Sequence, residues 1–128
     1  MSTYARIAVA NSDGTFFSIY CHWDGYPSCA GKTLRDHYKD EAKVRELMSL
    51  GDLSVLGAEI GVKHDFYQED SGMCTAYARD RGEEGVDQLH SHDFGELVQS
   101  TYDCGGKWLY VFENGKWTET NVTSITEG

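Results

Sequence analysis

Proline is almost absent from this 128-residue sequence, with Pro27 the single one, and its four cysteines stand far apart at 21, 29, 74 and 104. One proline leaves no proline-rich spacer, and no repeat, linker or low-complexity tract divides the chain. No apolar run approaches the roughly 20 residues of a membrane-spanning helix, and the start, Met1 to Arg6, lacks the apolar core of a signal peptide. A soluble, cytosolic protein is expected. Without a Cys-x-x-Cys pair or a paired-histidine spacing a zinc knuckle is excluded, so the four thiols read as reduced, with Cys21 a small buried residue. A nucleophilic Cys21 beside His22 is geometrically poor, because adjacent strand side chains point to opposite faces. No Gly-rich loop opens a helix after a strand and no hydrolase or kinase signature is present, so neither an enzyme nor a cofactor is expected.

Basic residues are also scarce, 11 Lys plus Arg against 21 Asp plus Glu, which leaves a formal net charge of -10. Such a surface repels phosphate backbones and anionic lipid, so direct nucleic-acid or membrane binding is not expected, and a cationic partner suits it better. The charge is uneven. Residues 1–63 carry eight acids and seven bases, and residues 104–128 carry three acids and two bases. Between them, residues 64–103 hold ten acids and only Arg79 and Arg81 as bases, a net of -8. Solubility alone explains many charge runs, but it is equally served by charges spread evenly, so concentration in one segment points to a partner-facing surface.

What the chain does contain is ample apolar material, 40% of residues hydrophobic with three Trp and eight Tyr, too much for a disordered acidic chain. Its pattern predicts two hairpins. Ala5 to Val9 and Thr15 to Cys21 flank Asn11-Ser12-Asp13-Gly14, while Lys107 to Glu113 and Lys116 to Thr118 flank Asn114-Gly115. After the loop His22 to Pro27, Ser28 is a suitable cap for a helix bearing Leu34 and Tyr38, and Asp40 caps a second helix carrying Val44, Leu47 and Met48 and stopped at Gly51. Leu53 to Leu56 reads as a packed turn, Met73 to Ala78 as a strand, Arg79 to Gly85 as a charged loop, and Asp93 as the cap of a short helix. Grouped strands and helices without βαβ alternation indicate an α+β fold: an antiparallel sheet built from the N- and C-terminal hairpins, with two to three helices packed on one face. One domain over 1–118 and a frayed polar tail over 119–128 complete the expectation.

Three constellations carry possible chemistry. His90-Ser91-His92-Asp93 places two imidazoles near a carboxylate and would support a metal-dependent hydrolase if Asp24, His22 or His64 added ligands. Arg79 and Arg81 with stacking by Trp23, Tyr26 or Tyr77 would support a nucleotide-binding sponge, although Asp80, Glu83 and Glu84 compete for both guanidiniums. The loop His22-Trp23-Asp24-Gly25-Tyr26 is the densest aromatic and polar cluster. It is expected to be a turn in which Trp23 and Tyr26 cover the hairpin end and Gly25 takes a positive φ.

Ser18 to Pro27 (SIYCHWDGYP), Gly31-Lys32-Thr33-Leu34, His37-Tyr38 and Leu50-Gly51-Asp52-Leu53-Ser54 together resemble a family of short proteins of phages, prophages and plasmids. The resemblance continues weakly in Tyr77 to Glu83 and Tyr110 to Glu113 and leaves out 57–72 and the tail. It implies a mobile-element origin, not a reaction. In size and acidity the chain is also similar to anti-CRISPR proteins, including those acting on type I systems, which implies a monomer or dimer working in the host cytoplasm. The expected partner is a host CRISPR effector complex or another cationic nucleic-acid-binding protein. Carboxylates two apart on a strand lie about 6.5 to 7 Å apart and those three or four apart on a helix about 5 to 6 Å apart. Asp65, Glu69, Asp70, Asp80, Glu83, Glu84, Asp87, Asp93 and Glu96 are therefore the candidates for a DNA-like anionic face.

Overall fold

A computed structural model describes residues 3–67 and 72–123. Both hairpins form where the turn residues put them. Strands β1 (Ala5–Ala10) and β2 (Phe16–Cys21) pair antiparallel with Ile7 opposite Ile19. Strands β6 (Trp108–Glu113) and β7 (Lys116–Asn121) meet across Asn114 and Gly115, both at positive φ as a two-residue hairpin turn requires. Residues 119–121 thus belong to the sheet and not to a frayed tail, and 124–128 lie outside the described residues.

The pairing of these hairpins corrects the expectation of an antiparallel sheet. β1 lies parallel to β6, with Ile7 opposite Tyr110, and β2 lies parallel to the short strand β3 (Leu53–Val55) at Cys21 and Leu53. β4 (Thr75–Ala76) continues the sheet beyond β3, and β5 (Leu89–Ser91) pairs with the first half of β2. The order is β4-β3-β2-β1-β6-β7 with β5 off this path, so the α+β sheet is mixed. Parallel neighbours need crossovers of a dozen or more residues. The segment between β2 and β3 and the helix before β6 supply them.

Helices cover both faces, a second correction. Ile7, Val9, Ile19, Cys21, Tyr110 and Phe112 pack under α1 (Lys32–His37) and α2 (Glu41–Ser49), against Leu34, Val44, Leu47 and Met48. Ala8, Leu109 and Val111 face the other way and pack under α4 (Phe94–Asp103), against Leu97 and Val98. The physical reason lies in the central strands. Leu109-Tyr110-Val111-Phe112 is apolar on both faces, so one helical layer leaves the alternate residues in water.

Asp40 caps α2 by accepting from the Ala42 amide at 3.2 Å, and Asp93 caps α4 by accepting from the Glu96 amide at 2.8 Å, as their positions predict. Ser28 caps nothing: a single π-helical turn, Pro27–Gly31, leads straight into α1, and Tyr26 stands at its start without a side-chain cap. Of the predicted strand Met73 to Ala78, Thr75–Ala76 forms β4 and Met73 makes only an isolated bridge to Glu59. From Tyr77 the chain coils into α3 (Tyr77–Arg81), because the Asp80 carboxylate reaches back to the Ala76 amide at 2.8 Å and satisfies a donor at the helix start.

Candidate functional site

Among the described acids of residues 64–103, Asp65, Glu83, Glu84, Asp87, Asp93, Glu96 and Asp103 are exposed. Asp80 is not. Its side chain is 0% exposed and accepts from the amides of Ala76 (2.8 Å) and His64 (3.0 Å) and from Arg79 Nε (3.1 Å). Burial opposes its charge, but the Arg79 hydrogen bond, the two amides and the Arg79 charge together hold the carboxyl below the usual range. Asp80 therefore leaves the partner-facing set. Glu69 and Asp70 lie outside the described residues.

Both arginines of the acidic segment are engaged within the chain. Arg79 also donates to the carbonyls of Ile60 (2.8 Å) and Cys74 (2.7 Å), tying the 60–64 loop to β4 and α3. Arg81 pairs with Glu83 at 2.7 Å and lies across the rings of Phe66 (4.4 Å) and Tyr77 (5.0 Å). The exposed acids form two groups. Asp65, Glu83, Glu84 and Asp87 sit on the loops around α3, whereas Asp93, Glu96 and Asp103 sit on α4, and β5 connects the two groups along the chain.

Asp52, half-buried near Asp87 of the first group, lies within the Leu50–Ser54 motif but is not among the candidate acids. It fills a gap in the outer edge of β2, where its Oδ1 accepts from the Tyr20 amide at 2.9 Å, and its own amide donates to Val86 O at 2.8 Å. Burial pushes the Asp52 carboxyl up, the Tyr20 amide and Arg6 pull it down, and Asp87 adds to the rise. The folded state therefore holds this proton more tightly than the unfolded chain. Its contribution to stability is present below the unfolded carboxylate value of about 4 and is lost as pH rises through the folded value. Asp52→Asn keeps the acceptor for Tyr20 without a charge to bury, so its melting temperature relative to wild type is expected to be higher at pH 7 than at pH 3.5. A variant less stable than wild type at pH 7 alone would show that the carboxylate earns its place as an ion.

The other constellations are not assembled. His90 and His92 lie 5.2 Å apart, but His90 packs on Phe17 and His92 leans on Glu96 at 3.3 Å. His64 is held by Val62 O (2.8 Å) and Thr75 Oγ1 (3.1 Å), and His22 by the Tyr20 hydroxyl (2.9 Å). Among the described residues no group of three or more His, Cys, Asp and Glu is placed to hold a metal ion. For nucleotide capture, Arg79 is locked on Asp80, and Arg81, on α3, is paired with Glu83 and already lies across Phe66 and Tyr77. Cys21 is buried, and burial with Cys74 nearby pushes its thiol up to about 12, which keeps it protonated.

The loop from His22 to Tyr26 departs from its expected form. Trp23 is only half-covered, 47% exposed, with the His22 ring at the end of β2 edge-on to it at 4.9 Å. Asp24, not Gly25, takes the positive φ, at 55°. Gly25 is needed for another reason: a Cβ there would sit 2.6 Å from Thr3 O and 2.7 Å from Ala5 Cβ. No family model, curated protein or solved structure matches the chain. Among the described residues no helix is long and apolar enough to cross a membrane.

Proposed function

We propose that the protein inhibits a host nucleic-acid-binding defence complex, of the CRISPR effector kind, by laying its exposed carboxylates into the cationic groove that otherwise holds DNA. One observation carries this most: in residues 64–103 the described acids other than Asp80 are exposed, while both arginines are engaged inside the chain. The outward field of the segment is thus strongly negative, relieved at the surface chiefly where Arg81 pairs with Glu83. Duplex DNA presents about one charge per 1.7 Å of axis, and a Lys/Arg-lined groove evolved for it accepts rows of carboxylates by the same attraction. Unlike charges steer the encounter, so association is fast at low salt and weak at high salt. The resemblance to phage, prophage and plasmid proteins supplies the biological setting, and no catalytic step is invoked.

The test is capture from a host lysate on the immobilised protein at about 0.1 M and about 0.5 M salt, a range over which surface charge pairs become largely screened. A Lys/Arg-rich nucleic-acid-binding protein retained at the lower salt and released at the higher is the expected result. A salt-insensitive partner, or an ultraviolet-absorbing small molecule carried by the protein in place of one, would contradict it and favour nucleotide capture.

A further inference from the structure

The acidic segment gives the proposed face its charge, but it does not explain Trp23. An indole 47% exposed at the end of β2 is held there by rigid neighbours. Its amide donates to Ser54 O and the His22 amide to Leu53 O, each at 3.0 Å, which fixes the backbone to β3. The His22 ring stands edge-on to the indole at 4.9 Å and is itself stacked on Tyr4 at 4.8 Å and bonded to the Tyr20 hydroxyl. Asp24 follows in the left-handed region, exposed, with its carbonyl taking the Ala30 amide at 3.1 Å. Gly25 is clamped by Thr3 O at 2.7 Å and by the Tyr110 hydroxyl at 2.6 Å. An unfavourable backbone conformation held from several sides, with a large aromatic left in water, is the form of a preorganised contact and not of a core.

The chemistry around the indole selects its ligand. Asp24, exposed and next to Trp23 in the chain, has its carboxylate near Tyr26 and so puts a negative charge on the same loop as the exposed indole. An aromatic ring and a carboxylate on one loop attract a cation, and a guanidinium stacks on a ring better than an ammonium does. An anionic ligand finds no open counter-charge on α1, since Lys32 is paired with Asp36 at 2.6 Å and Arg35 with Glu119 at 2.9 Å. The chain already uses the same chemistry internally, where Arg81 lies across Phe66 and Tyr77. That stack adjoins the loop, because Ser54, which holds Trp23, has its side chain against the Tyr77 hydroxyl.

We infer that the His22–Tyr26 loop anchors an arginine side chain of the partner, Trp23 offering the ring face and Asp24 the counter-charge. This rests on the proposal of a cationic partner and adds to it a fixed point outside the acidic segment, with a preference for Arg over Lys that carboxylates alone do not provide.

Octa-arginine and octa-lysine, titrated against the full chain by calorimetry at about 0.15 M salt, test both ideas separately. Wild type is expected to bind octa-arginine about fivefold more tightly than octa-lysine, the scale of an exposed cation–π contact, and Trp23→Ala to remove the difference while remaining folded and keeping its affinity for octa-lysine. Asp24→Gly is expected to weaken octa-arginine about threefold or more while the melting temperature holds or rises, because glycine suits that backbone better than aspartate. Glu83→Lys with Glu84→Lys should weaken both peptides alike and leave their ratio intact. If Trp23→Ala keeps the wild-type preference while the Glu83 and Glu84 reversal still weakens both peptides, the arginine anchor is wrong and the cationic partner stands. If wild type binds neither peptide, or binds adenosine monophosphate more tightly than octa-arginine, both are wrong.

Discussion

Asp80→Ala is expected to lower the stability of the protein by about 3 to 5 kcal/mol, the cost of breaking a buried ion pair from one side. The Arg79 guanidinium, whose side chain is only 16% exposed, would be left without its carboxylate, and the amides of Ala76 and His64 would lose their acceptor. Each unmade buried hydrogen bond adds its own penalty. For a domain of this size the loss corresponds to a fall in melting temperature of about 10 to 20 °C, a large part of a total that is commonly 5 to 15 kcal/mol. The pH dependence has the opposite sign to that of Asp52. Because the Asp80 carboxyl is held below its ordinary value, its contribution is present above the unfolded value near 4 and is lost as pH falls through the folded value. The difference between wild type and Asp80→Ala should therefore narrow in acid. Urea and thermal unfolding at pH 7 and pH 3 measure both effects. A fall of less than about 3 °C at pH 7 would mean that Asp80 is a solvated acid, and it would return to the partner-facing set.

Reversing Glu83 and Glu84 together to Lys is expected to weaken partner binding at least a hundredfold, since like charges brought together at an interface cost several kcal/mol. The change falls mainly on association rate at low salt, where steering acts, and shrinks as salt shortens the screening length toward about 3 Å at 1 M. Folding should be almost untouched. Glu84 is exposed, and the Glu83 pair with Arg81 is half-exposed and worth at most about 1 kcal/mol. The same reversal at Glu69 and Asp70 tests the other candidate pair of the segment, and Glu46→Lys on exposed α2, in the nearly neutral part of the chain, is the control that should bind as wild type. If both double reversals bind and inhibit like wild type, mimicry by this segment is wrong.

The elements that local chemistry decides were legible in the sequence. Asn114-Gly115 dictates a two-residue turn wherever it stands between alternating strands, and Asp40 and Asp93 cap their helices through amides two and three residues away. The direction of pairing was not legible, because the side-chain alternation that marks β1 and β6 as strands is identical for parallel and antiparallel neighbours. Nor was the second helical layer, although Leu109 and Val111 between Tyr110 and Phe112 carried the signal for it. At the candidate site, charge counting treated Asp80 like Glu83 and Glu84. Their difference depends on the Ala76 and His64 amides, which only the folded chain brings to one carboxylate. The positive φ expected at Gly25 falls on Asp24 for a similar reason. A glycine beside an aspartate reads as the residue at positive φ, but here the close approach of Thr3 and Ala5 claims the glycine and leaves the strained conformation to Asp24.

An acidic surface that takes the place of DNA must compete with DNA for the partner's groove. The captured host protein is mixed with labelled duplex DNA of its own target sequence, and the present protein is titrated in at about 0.15 M salt, where surface charges act over roughly 8 Å. The expected result is displacement of the DNA to completion, with excess duplex restoring DNA binding and no complex holding both. A stable ternary complex in which the DNA keeps its affinity would contradict the claim.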